Sequence, residues 1–120
     1  MIFLTIRNIC EILNAEVVVG ADMLDVEEIS GFASDLMSDV LAFVQERTVL
    51  ITGLVNMHVF RTAQMIDCNC IIFSRGKMPS ADLIELGKNM NMVILCSEYS
   101  SYETSGLLYS HGLPSAKLNE

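Results

Sequence analysis

Apolar residues at Ile6, Ile9, Cys10, Ile12 and Leu13 recur at mixed three- and four-residue spacing, which predicts an amphipathic helix. Thr5 stands where an N-cap belongs, and Asn14 where the helix stops. Residues 16–19 form a β-branched run closed by Gly20 and predict a short strand. Ala21-Asp22 opens a turn into an acidic link over residues 23–28, and residues 29–33 predict a second strand. Ser34-Asp35 resembles a helix start; Leu36, Met37, Val40, Leu41 and Val44 supply the apolar stripe, and the helix is expected to reach about Gln45.

From residue 48 the pattern becomes regular. Residues 48–52 are a strand; after Gly53 and Asn56, Val59, Ala63 and Ile66 space out a helix. Residues 70–73 are the next strand, 75–79 a loop, and Ser80 caps a helix carrying Leu83, Ile84 and Leu86, with Gly87 late within it. Residues 92–96 form a further strand, followed by a helix from Ser100 or Ser101 that carries Tyr102, Leu107, Leu108 and Tyr109 and stops at Gly112. Strands apolar at every position, alternating with helices, predict an α/β fold: three layers, a mainly parallel sheet of four or five short strands, and helices on both faces. One domain over residues 1–113 is expected, with residues 114–120 as a flexible C-terminal tail.

Composition narrows the function classes. The 120 residues are 52% hydrophobic and 18% charged, so a core can be filled. A net charge of −8 argues against nucleic acid or an anionic membrane surface as partner. Charges interrupt every apolar run, so no membrane span is predicted, and no signal peptide is read at the amino terminus. Cys10, Cys68, Cys70 and Cys96 lie mostly in apolar segments, which points to reduced thiols and a cytoplasmic location.

Ligands of open α/β sheets bind outside the carboxyl ends of the strands. The loops there offer Ser34, Asp35, Thr52, Gly53, Asn56, Arg75, Gly76, Lys77, Tyr99 and Ser101 as candidate ligand-binding residues. Small hydroxyls, two glycines, helix N-termini and the basic pair Arg75 and Lys77 suit a phosphate or carboxylate. The other reading of the same residues is caps, turns and a solvated arginine. Asp35 and Asp39, one helical turn apart, read as a cap and a dipole partner ahead of a cation site, and Cys68-Asn69-Cys70 lacks the further ligands zinc needs. His58 and His111 accompany no nucleophile, Walker or Rossmann motif, and His111-Gly112 reads as a helix end. No catalytic residue, metal or cofactor is therefore assigned, and the chain is not expected to be an enzyme. Met57 and Phe60 lie off the Val59, Ala63, Ile66 stripe and suggest a second apolar face, hence a symmetric homodimer.

Four stretches carry a family resemblance. Residues 24–41 keep the leading aspartate of a signature, Asp25, without the Arg-Thr-Gly-Gly that follows it elsewhere. Residues 49–55 with Ala63 keep Gly53 of a Gly-Asp-Arg strand end. Residues 71–79 keep Gly76 and Pro79 of a Thr-Gly-Gly-x-x-Pro turn, and residues 93–102 keep the two tyrosines, Tyr99 and Tyr102, of a Tyr-Asp-Thr-Tyr loop. In order and spacing the chain resembles the DRTGG domain family, and its fold is similar to the amino-terminal domain of HPr kinase. The resemblance implies a non-catalytic regulatory or ligand-sensing module, because such domains look like those attached to phosphotransacetylases and nucleotide-regulated pyrophosphatases beside adenine-nucleotide-binding domains. A nucleotide or other phosphorylated small molecule is the ligand it implies. Residues 33–41 look like stand-alone members found near hydrogenase genes, which implies the alternative of an assembly module serving a partner enzyme without any small ligand.

Overall fold

A computed structural model describes residues 4–44 and 47–118. Thr5 caps helix α1 (Ile6–Leu13) in a reciprocal capping box: its side chain accepts from the Asn8 amide at 3.0 Å, and Asn8 Oδ1 accepts from the Thr5 amide at 3.0 Å. Asn14, in the left-handed conformation, ends the helix. Strand β1 (Leu4–Thr5) just before it pairs antiparallel with β3 (Glu27–Glu28), a two-stranded ribbon that periodicity over so few residues does not reveal. Between them lie β2 (Glu16–Val19) and a single 3-10 turn at Ala21–Met23.

The expected strand over residues 29–33 is divided: β3 precedes it, and only β4 (Gly31–Ala33) joins the main sheet. Then follow α2 (Met37–Phe43), β5 (Val49–Thr52), α3 (Met57–Met65), β6 (Cys70–Phe73), α4 (Ala81–Asn89), β7 (Val93–Cys96) and α5 (Ser101–Ser110). The five-stranded sheet runs β2-β7-β6-β5-β4, parallel throughout except for β2, which lies antiparallel to β7 at the edge. The fold is the expected three-layer α/β arrangement.

Alternation along β5, β6 and β7 feeds two cores. Leu50, Ile71, Phe73 and Ile94 meet Val40 of α2 and Val59, Phe60 and Ala63 of α3, with α4 packed alongside. Val49, Ile51, Ile72 and Leu95 meet Ile6, Ile9 and Leu13 of α1 and Leu108 of α5. Phe60 is fully buried against Phe73, ring centroids 6.1 Å apart, so it is core and not the second apolar face expected of it; Met57 remains 49% exposed.

Two expectations need correction. Helix α2 starts at Met37 without a side-chain cap, because Asp35 is engaged elsewhere; Gln45, its expected end, lies outside the described residues. The flexible tail expected from residue 114 instead lies beside the sheet as far as it is described. The Gly31 amide donates to the Pro114 carbonyl at 2.8 Å, the Ala116 amide to the Gly31 carbonyl at 2.9 Å, and Leu118 bridges Val44. Leu113 and Ala116 are buried there, and the outward backbone groups of Gly31 in edge strand β4 find partners. Among the described residues no helix is long and apolar enough to cross a membrane.

Candidate functional site

Because β4, β5, β6 and β7 are parallel, the loops leaving their carboxyl ends meet at one end of the sheet. Asp35 reaches from the first loop to the second: Oδ1 accepts from the Thr52 hydroxyl at 3.0 Å and from the Gly53 amide at 2.8 Å. Thr52 Oγ1 accepts in turn from the Leu54 amide at 3.1 Å. The carboxylate is thus a cross-link between loops and not the helix cap it resembles in sequence.

The third loop turns sharply at Arg75 and Gly76, both left-handed with φ of 61° and 67°. Such a conformation is uncommon for arginine and is held here by the fourth loop. The Arg75 amide donates to the Tyr99 carbonyl at 2.7 Å and the Gly76 amide to the Ser97 carbonyl at 2.8 Å. A Cβ on Gly76 would stand 2.5 Å from the mobile tip of exposed Glu98, so it is the positive φ more than space that favours glycine there. The Lys77 ammonium donates to the Gly53 carbonyl at 2.7 Å, closing the third loop onto the second. Cys96 Sγ donates to the Lys77 carbonyl at 3.1 Å; burial, with Glu16 and Glu98 adding to it, pushes this thiol up to about 11 and keeps it a donor.

Gly53 is the focus of the cluster. A Cβ there would lie 3.4 Å from an Arg75 guanidinium nitrogen, 3.4 Å from Ser74 Oγ and 3.6 Å from Asp35 Oδ2, so polar groups from two neighbouring loops face its bare Cα. Ser74 Oγ shares a 2.7 Å hydrogen bond with Ser101 Oγ, and Ser97 Oγ shares one of 3.0 Å with Thr104 Oγ1. Asp35, Arg75, Gly76 and Lys77 are exposed around this buried hydroxyl floor of Thr52, Ser74 and Ser97.

Asp35, Thr52, Gly53, Arg75, Gly76, Lys77 and Ser101 are therefore drawn together. Tyr99 contributes its backbone carbonyl, while its ring packs into the α1 and α5 core. Asn56 is used as the N-cap of α3, accepting from the Val59 amide at 3.3 Å, and Ser34 accepts from the Leu36 amide at 3.0 Å in a local turn. Ser74, Ser97 and Cys96 join the site without a sequence signal, because their roles depend on partners in other loops.

Beside the loops, on the α5 side of edge strand β4, lies a groove of about 350 Å³ bounded by Ala33, Ile51, Tyr102, Gly106, Tyr109 and Pro114. Tyr102 and Tyr109 are 89% and 71% exposed. At the opposite end of the strands, Cys68 and Cys70 are buried, and Cys68 Sγ donates to the Cys70 carbonyl at 3.1 Å. Burial pushes Cys68 up to about 12 and Cys70 well above the usual range, so both stay protonated and unreactive.

A model of the DRTGG domain matches residues 8–110. Among solved structures the chain is similar to the CBS and DRTGG domains of the regulatory region of Clostridium perfringens pyrophosphatase, complexed with its activator diadenosine tetraphosphate. The likeness has a TM-score of 0.71 at 20% identity and covers 92% of this chain and 47% of the other, so the chain spans just under half the length of that neighbour. No protein of curated function matches it.

Proposed function

The chain belongs to the DRTGG domain family, and from that premise we propose that it is a non-catalytic regulatory module that senses a small anionic ligand, a nucleotide or another phosphorylated metabolite, at the strand carboxyl ends. The observation that carries the reading is the convergence on Gly53: an arginine nitrogen and a serine hydroxyl from the third loop and a carboxylate oxygen from the first all come within 3.6 Å of where its Cβ would stand. Arg75 sits in a left-handed turn that aims it over this point, and Lys77 is its neighbour. The bound nucleotide activator of the pyrophosphatase regulatory region supports the ligand class for this family without locating a site in this chain.

A thermal-shift titration with adenine nucleotides, diadenosine polyphosphates and inorganic phosphate tests the reading. A ligand at about 100 times its dissociation constant adds roughly 2.7 kcal/mol, which moves the midpoint by several degrees. The shift should vanish in Arg75→Ala. A flat screen with the whole panel overturns ligand sensing.

One observation favours a second reading, an assembly module. Met57 and Met65 on α3 are 49% and 72% exposed, and Leu36 before α2 is 58% exposed. On that reading the chain forms a homodimer or serves a partner enzyme through this side, and Met57→Glu lowers the sedimentation mass. An unchanged mass removes the dimer.

A further inference from the structure

Small residues line the groove beside β4, and at one of them the space is open. Gly31 and Ala33 line its floor, and Gly106 in the middle of α5 has nothing within 4 Å of where its Cβ would be. A helix-interior glycine weakens its helix, and no packing contact here accounts for this one. Tyr102 and Tyr109 stand two turns apart on α5, both exposed, with Pro114 across from them. The tail bonds both outward groups of Gly31 and then turns toward Val44. Alternation along β4 sends the N–H and C=O of Ala33 to that same edge, where they form a donor and an acceptor side by side.

The groove opens onto the loop cluster. Ala33 lies two residues before Asp35, Ile51 two before Gly53, and Tyr102 follows Ser101, whose hydroxyl meets Ser74 at 2.7 Å. A slot lined by Tyr102 and Tyr109 thus lies beside the loop cluster that carries Arg75 and Lys77. Resting on the ligand reading above, we propose that the groove is the base subsite of a purine nucleotide: the ring stacks along Tyr102 and Tyr109, its edge meets the Ala33 backbone, and the phosphates extend over the Arg75–Lys77 turn. The groove's volume is within the range of small-molecule sites, and stacking on exposed aromatics suits a planar ring.

Calorimetric titration of the whole chain with adenosine, ATP and tripolyphosphate separates the two claims. ATP should bind at least tenfold more tightly than tripolyphosphate. Gly106→Phe, which fills the groove, should weaken adenosine and ATP at least tenfold and leave tripolyphosphate unchanged. Arg75→Ala should weaken ATP and tripolyphosphate and spare adenosine. Gly106→Ala, with its thermal midpoint, controls for folding, and amide NMR shifts of Ala33 and Gly106 in the unaltered chain on adding adenosine need no variant. Equal affinity for ATP and tripolyphosphate, or ATP binding untouched by Gly106→Phe, overturns the base subsite while leaving the anion site standing. Binding of adenosine with no binding of tripolyphosphate and no loss of ATP in Arg75→Ala overturns the anion reading and leaves the groove. Silence of all three ligands overturns both.

Discussion

Glu28 is expected to make the protein less stable as pH rises through neutrality. It sits in β3 opposite Leu4, its side chain has no exposure, and neither carboxyl oxygen has a hydrogen-bond partner among the described residues. The nearest cation, Arg47 Nε, is 3.7 Å away, beyond hydrogen-bond reach, while that guanidinium donates through Nη2 to the Glu27 carbonyl at 2.6 Å. Burial pushes the carboxyl from the ordinary 4.5 up to about 7, against the opposing pull of Arg47. An acid raised in the folded state holds its proton there after the unfolded chain has released its own. Stability therefore falls as pH rises from about 4.5 to about 7 and levels off above that. At about 1.4 kcal/mol per tenfold change, the interval amounts to roughly 3 kcal/mol. Glu28→Gln keeps the shape and removes the proton. Urea denaturation of both proteins should give similar stabilities near pH 4.5 and a variant more stable by roughly 3 kcal/mol at pH 8, with a thermal midpoint higher by about 10 °C. Using the difference between the two proteins cancels the other carboxylates. A difference that stays constant across this range, or one that shrinks as pH rises, refutes the reasoning.

Further outcomes follow from packing and hydrogen bonds. Gly106→Ala should stabilise α5 by about 1 kcal/mol in urea melts, since the new Cβ meets nothing within 4 Å. The same change at Gly87 puts a Cβ 2.5 Å from Ile94 Cδ1 and should cost about 1–2 kcal/mol despite the gain in helix propensity. Asp35→Ala leaves the buried Thr52 hydroxyl and the Gly53 amide without their acceptor and should cost about 2 kcal/mol, with Asp35→Asn losing less. Phe60→Ala removes a fully buried ring packed on Phe73 and should cost about 3–5 kcal/mol by denaturant midpoint, whereas Met57→Ala on the same helix should stay within about 1 kcal/mol.

The regular half of the chain, from residue 48 onward, is readable because each element carries its own signal. β5, β6 and β7 are buried at every position, so their apolar runs are unbroken, and the capping residues Asn56, Ser80 and Ser100 stand immediately before α3, α4 and α5. The first half is less so. β1 and β3 are two residues each, too short for any period, and Glu28 within β3 is an acid in a core position, which composition would assign to a surface link. Phe60 misleads for a related reason. Helix α3 is wedged between the sheet and its neighbours α2 and α4, so its buried face is wider than a single stripe and takes in Phe60 and Thr62 beside Val59 and Ala63.

The site divides along the same line. Which loops converge follows from parallel topology alone, and the glycine, arginine and lysine within them could be named before any coordinates. What each residue does there depends on partners distant in sequence. Asp35 has the position of a cap, yet a hydroxyl and a loop amide 17 and 18 residues away outcompete its own helix for the carboxylate, so α2 starts later and uncapped. Arg75 looks like any solvated loop charge until its amide is seen bound to the Tyr99 carbonyl, which fixes a left-handed turn that arginine would not choose unaided. Both residues give up a locally preferred state to tie neighbouring loops together, and both lie against Gly53. Local compromises that converge on one strand-end glycine suit a ligand site, and core packing alone would not select them. That coincidence, more than the charge of Arg75 or Lys77 taken singly, is the physical case for a ligand at the strand carboxyl ends.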